Sequence, residues 1–429
     1  MTTYHELDSD TFDALARGDG GPAAIAALQQ AQLSRHLLLI GNLLREWPGT
    51  TAERDAIADT LSRARAADPV RFTDVVGAPL VGSWSGIVTR ALGQGVADPS
   101  DFGQLAGIAV VAAAAAGVPA DLAVPVRDGV ASAPGLGALT GVEAPVRLIA
   151  DAGQVLAHVD GRLVSLSTED VPGFQRVRDL TAPGVRIALD DVDPYRHGHH
   201  APPANRLDDA DFAQWDKLFG EAWGLLARQL PERAAELAAG LRTLVPLAQT
   251  DSRSARSATI KYAFGVFGLT LPPSAAEFAV TMVHEFHHSK LSAMLDLVPM
   301  TDPEDTSRHF APWRTDPRPL AGLLQGVYAF VGVADTWRAL RAEPELADEA
   351  TRKFAEARVN VAEGLRSVEE SGALLPDGVR LVQGLRKRTD ELLAEPLPDE
   401  AVRAAELSLG DTFDRWRDHN ARDRNAAPA

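Results

Sequence analysis

The chain has no cysteine among its 429 residues. That excludes disulfides, thiol catalysis and thiolate-held metals, so any metal must sit on imidazole, carboxylate or amide ligands, a set that suits iron, zinc or manganese. Basic residues are few relative to acidic ones, and the formal net charge is −17. This argues against a nucleic-acid partner and against docking on anionic membranes, both of which need clustered Lys and Arg. A long apolar run is also missing. The most apolar stretch, 105–124, is interrupted by Gly107, Gly117, Pro119 and Asp121, and before Gly117 it is too short to span a bilayer. It predicts a buried core helix. The first residues, MTTYHELDSDTF, have neither a basic n-region nor an apolar h-region, so no secretory signal is expected and the cytoplasm is the default location.

What is present is an ordinary globular balance, 45% hydrophobic and 24% charged, which drops the disordered and fibrous classes. The length suits two domains better than one. Residues 4–65 and 68–116 read as helices, with Asp8-Ser9-Asp10 as an N-cap and Trp47-Pro48-Gly49 as a stop. After Pro134 the texture changes: 146–150, 155–159 and 163–166 form a β-meander with Ala-Gly and Asp-Gly turns, and 185–189 is a further strand. The Pro-rich connection 197–205, HGHHAPPAN, marks a boundary. Helices are expected at 208–244, 273–296, 318–342, 345–371, 375–395 and 399–419, with a short β element over 256–271. The fold class is therefore α+β and mainly helical: an N-terminal helical and β-meander domain, 1–200, followed by a helical metal-binding domain, 205–420, built on an HExxH helix.

That motif is His284-Glu285-Phe286-His287-His288. Histidines at i and i+4 lie one turn apart on one helix face and can converge on one ion, with Glu285 beside them. Pro272-Pro273-Ser274 is a helix start, and Ala275, Phe278, Ala279 and Met282 follow at the spacing of a buried stripe. His287 projects roughly 100° away from His288 and is expected to pack or face solvent rather than bind metal. His197, His199 and His200 lie in a Pro/Gly-rich connection and read as a solvated loop.

Two chemistries use such a helix. A zinc peptidase would take Glu285 as general base on a zinc-bound water. Its usual third ligand is absent: Leu291 and Met294 occupy the positions of the metzincin Gly and His, and the next helix carries no Glu, only Asp335. A non-haem iron oxygenase instead needs open positions for an oxo acid and oxygen, and a guanidinium for the oxo acid's distal carboxylate. Residues 308–319, RHFAPWRTDPRP, supply Arg308, Arg314 and Arg318 between the motif helix and the next. A structural Pro/Arg loop that caps two helices would have the same composition. A non-catalytic peptide-binding partner with a vestigial motif is the third reading.

The segments HEFHHSKLSAMLDLVP and FAPWRTDPRPLAGLLQGVYAFVGVADTWR resemble the HExxH-type peptide-modification family, which includes the C-terminal domain of FxsB-type radical-SAM maturases and stand-alone relatives. The similarity is specific over about 270–340 and fainter at 191–196 and 72–84. The resemblance implies an iron(II)- and 2-oxoglutarate-dependent peptide hydroxylase. Its target would be the β-carbon of an Asp, Asn or His class residue in a ribosomally synthesised precursor peptide, with a radical-SAM maturase as a possible partner. It implies His284 and His288 as metal ligands and Gln325 at the position of a third, with His309 and Asp335 as alternatives for it. Gln325 and Asp335 lie ~15 Å apart along one helix and cannot share an ion. On this reading Glu285 orients a ligand or a metal-bound water, Arg314 or Arg318 pairs the oxo acid, and His309 and Tyr328 face the substrate. The N-terminal region would recognise the peptide or a partner enzyme.

Overall fold

Several helices begin on side chains that satisfy their free amides. Thr50 and Glu53 form a reciprocal capping box at the start of Thr51–Ala67, Asp8 caps Ser9–Ala16, and Asp68 caps Pro69–Val76. The computed structural model describes residues 5–159, 161–167, 172–197, 202–249, 256–260 and 262–426. Over them the fold is mainly helical α+β, as the sequence predicts. Among the described residues, no single helix is long and apolar enough to cross a membrane.

Two compact units are interleaved along the chain, whereas the sequence suggested two successive domains meeting at 197–205. One unit comprises Met1–Leu28, Lys217–Gly240 and Pro272–Ala429; the other comprises Gln29–Asp216 and Leu241–Leu271. The reason lies in packing: helix Ser9–Ala16 docks on Pro376–Ala394, so the first residues belong with the last.

The second unit holds the sheets. Helix Gln104–Ala115, buried through Ala114, packs on a four-stranded antiparallel sheet ordered Ala120–Val124, Val146–Asp151, Gln154–Val159, Arg162–Ser165. The last three strands are the expected meander. Ala152 and Gly153, at φ 46° and 79°, make the two-residue turn whose twist suits a hairpin. Asp160, in the second expected turn, lies outside the described residues. The core helix expected over 105–124 is shorter than that: the chain turns at Gly117 (φ 69°) and returns as the edge strand Ala120–Val124. A five-stranded sheet runs Ser257–Thr259, Val266–Leu269, Thr243–Pro246, Val185–Leu189, Arg178–Ala182, with Thr243–Pro246 parallel to both neighbours. Thr243–Pro246 replaces the end of the helix expected over 208–244, which breaks at Gln229 and ends at Gly240. Val130–Ala133, Gly137–Thr140 and Phe174–Arg176 form a third, small sheet.

The first unit is a stack of helices. Ala275–Leu295, the motif helix, packs against Leu320–Leu340, which packs against Ala347–Glu369; Pro376–Ala394 and Asp399–Ala426 cover the latter.

Candidate metal centre

The motif helix starts where the Pro-Pro-Ser signal predicts: Ser274 Oγ accepts the Glu277 amide at 3.2 Å. From Thr281 to Ser292 every residue is buried except Thr281, His284, His288 and Ser292, which stand one above the other on one stripe. The two motif histidines therefore occupy the only partly open face of this stretch. Their rings meet edge to face, centroids 4.7 Å apart at 86°.

Each ring is held by a different device. His288 Nδ1 lies 3.0 Å from Gln325 Oε1, and the Gln325 amide nitrogen donates to Ser292 Oγ at 3.1 Å. An amide oxygen only accepts, so Nδ1 carries a hydrogen and Nε2 is the ring nitrogen left for a metal. His284 is 21% exposed, and its Nε2 stands 3.8 Å from the buried carboxylate oxygen of Glu285. Burial, reinforced by the neighbouring His288, pushes His284 down to about 4, so its ring is neutral at physiological pH. Phe330 meets the His284 ring edge-on at 5.3 Å, and Trp313 stacks on Phe330 at 4.4 Å.

The comparisons add no family: neither protein-family models nor curated proteins give a match to this chain.

The donor set is thus two imidazoles, a set that suits divalent iron or zinc. Among the described residues, no group of three or more His, Asp or Glu side chains is placed to hold a metal ion. Gln325, expected at the third ligand position, has both ends of its amide engaged, one on His288 and the other on Ser292. Asp335 is committed elsewhere: its oxygens take Arg388 at 2.6 Å, Arg338 at 2.8 Å and Arg233 at 3.5 Å. Burial raises its carboxyl, and the three guanidinium groups outweigh burial and hold it below the usual range. Tyr328, expected to face a substrate, is instead fully buried and donates to the Leu15 carbonyl at 2.7 Å. It fills the C-terminal end of Ser9–Ala16, where free carbonyls need partners. His309 exchanges two main-chain hydrogen bonds with Arg318, and its ring Nε2 lies 3.9 Å from Asp305. Arg314 and Arg318 both face Asp316, at 2.7 and 3.4 Å, and Arg308 is exposed. His287 packs as expected, buried with Nδ1 2.8 Å from the Val283 carbonyl. His199 and His200 lie outside the described residues.

Three features escaped the sequence reading. Ser292 lies one turn beyond His288, on the same stripe, and spacing alone marks it. Trp313 and Phe330 carry no motif. Behind the helix, Lys290 is fully buried, bonded to Glu236 at 2.9 Å and to the Gly18 carbonyl at 2.5 Å. Burial pushes it down to about 8, with Glu236 opposing.

Proposed function

We propose that this protein is an iron(II)- and 2-oxoglutarate-dependent hydroxylase of the HExxH-type peptide-modification family. Its substrate is the β-carbon of an Asp, Asn or His class side chain in a ribosomally synthesised precursor peptide. The observation that carries the reading is the imidazole pair on the one open stripe of an otherwise buried helix, with the His288 tautomer fixed by Gln325. When bound, the iron and the oxo acid supply the oxidising chemistry. His284 and His288 hold the ion through ring nitrogens, and Gln325 orients His288 from behind, the way metal-bound histidines are generally fixed. Glu285, whose carboxylate lies 3.8 Å from His284 Nε2, would orient a ligand or a metal-bound water. Arg314 or Arg318 takes the oxo acid's carboxylate by giving up Asp316. That exchange of one carboxylate for another is cheap, because an exposed ion pair contributes only about 0–1 kcal/mol.

Anaerobic addition of iron(II) and 2-oxoglutarate should give a visible charge-transfer band. In air, with the peptide, succinate should form and the peptide should gain one oxygen. No band and no succinate would sink the reading. A zinc peptidase trimming a leader peptide is the second reading, favoured by the close approach of Glu285 to His284, where a general base would stand. It predicts loss of a peptide segment without oxygen or oxo acid.

A further inference from the structure

The structure assigns Trp313 a positioning role: it sets the orientation of the His284 ring, acting through Phe330. The assignment concerns the same site as the hydroxylase reading and rests on it only for the ligand role of His284.

The two imidazoles are fixed by unlike means. His288 has a hydrogen-bonded partner in Gln325. The His284 ring meets two rings edge to face: His288 at 86° and 4.7 Å, and Phe330 at 88° and 5.3 Å. Edge-to-face packing fixes a ring plane only if the second ring is itself fixed. Trp313 supplies that, lying almost parallel to Phe330 at 14° and 4.4 Å.

Trp313 in turn has little room to shift. A Cβ built on Gly326 would fall 2.2 Å from its Cζ2, and one on Gly364 would fall 3.1 Å from its Cη2. The indole edge therefore fills a notch cut by two glycines on two helices, Leu320–Leu340 and Ala347–Glu369. Neither glycine has a positive φ, and glycine is disfavoured inside helices; space for the indole accounts for Gly326, and the indole together with Val327 Cγ2 at 3.0 Å accounts for Gly364. The chain of contact runs from the notch to Trp313, to Phe330, to His284. Because Trp313 immediately precedes Arg314, the same anchor ties the 308–319 loop to the helix beside the histidine pair.

The test uses metal-free full-length protein and the variants Trp313→Ala, Trp313→Phe and Gly326→Ala, with far-ultraviolet circular dichroism to verify folding. Diethyl pyrocarbonate modifies accessible neutral imidazoles, and peptide mass spectrometry reads His284 against His288 as the internal standard. Trp313→Ala and Gly326→Ala should raise the His284-to-His288 reactivity ratio severalfold. Trp313→Phe, which keeps a ring on Phe330, should restore most of it. A ratio unchanged in Trp313→Ala overturns the assignment, and so does a ratio that Trp313→Phe leaves as high as Trp313→Ala does. If Gly326→Ala does not fold, the Trp313 pair decides alone. Cobalt(II) titration of the same proteins should show Trp313→Ala binding about 10–100-fold more weakly. Wild-type protein that binds no cobalt(II) would overturn the metal reading, while the reactivity ratio still decides the role of Trp313.

Discussion

Gln325 Oε1 lies 3.0 Å from His288 Nδ1, and the other end of the same amide is tied to Ser292. This turns a residue that the family resemblance implies as a metal ligand into one that holds the His288 ring still. Gln325→Leu removes the acceptor and frees the ring to rotate or change tautomer. Metal affinity should fall about 10–100-fold. Gln325→Glu keeps an acceptor at the same place and should retain most of it. Calorimetric titration with cobalt(II) checks both, and equal affinity for Gln325→Leu and wild type would refute the orienting role.

Asp335 answers three arginines, one of them, Arg233, buried. Asp335→Ala leaves that guanidinium without one of its compensating charges. Removing one partner of a buried pair costs roughly 3–5 kcal/mol. Urea unfolding should show a loss of that order, while cobalt(II) affinity of the folded protein stays at the wild-type value. A large loss of affinity at unchanged stability would mean that Asp335 serves the metal after all.

How much of this was legible beforehand follows from the range of each interaction. The motif helix is a local object: Pro272-Pro273-Ser274 starts it, and Phe278, Ala279 and Met282 of the expected stripe are buried, while Ala275 is only half-buried. The meander is local too, through its Ala152-Gly153 turn. Helical i+3 spacing brings Arg338 to Asp335, but Arg233 and Arg388 come from separate segments that no spacing brings there. Ser9–Ala16 joins the unit that carries the motif helix through contacts such as Tyr328 to Leu15 and Lys290 to Gly18, which a division of the chain into successive domains cannot see. Thr243–Pro246 follows an Ala/Leu-rich helix without a change of hydrophobicity, and only Gly240 marks the break.

Tyr328 belongs to that structural set. Tyr328→Phe removes the donor to the Leu15 carbonyl and leaves a buried acceptor unpaired. The cost should be roughly 1–3 kcal/mol, read as a lowered unfolding midpoint. Because the hydroxyl faces the first helix and not solvent, KM for the peptide should not move. A raised KM at unchanged stability would return Tyr328 to the substrate.

Asp193 predicts a pH effect in the other unit. It is fully buried beside Asp190, accepts the Tyr195 amide at 2.7 Å, and has Gln104 3.4 Å from its other oxygen. Burial, with the Asp190 charge adding to it, pushes its carboxyl up to about 7, against 3.8 when exposed. Between those values the folded protein holds a proton that the unfolded chain has released. Its contribution to stability is therefore fully present below pH 3.8 and is lost as pH rises through 7. Two histidines work the opposite way: loss of solvation pushes buried His36 and half-buried His284 each down to about 4, so they cost stability as pH falls below 6.5. The total profile mixes these, and the difference between two proteins isolates the buried Asp190–Asp193 pair. Asp193→Asn keeps an oxygen for the Tyr195 amide and carries no titrating proton. Measured by urea unfolding from pH 5 to pH 8, it should gain on wild type as pH rises, by at most ~1.4 kcal/mol per pH unit, the limit for one proton. A difference that stays flat across that range would mean that Asp193 is ionised in the folded protein throughout.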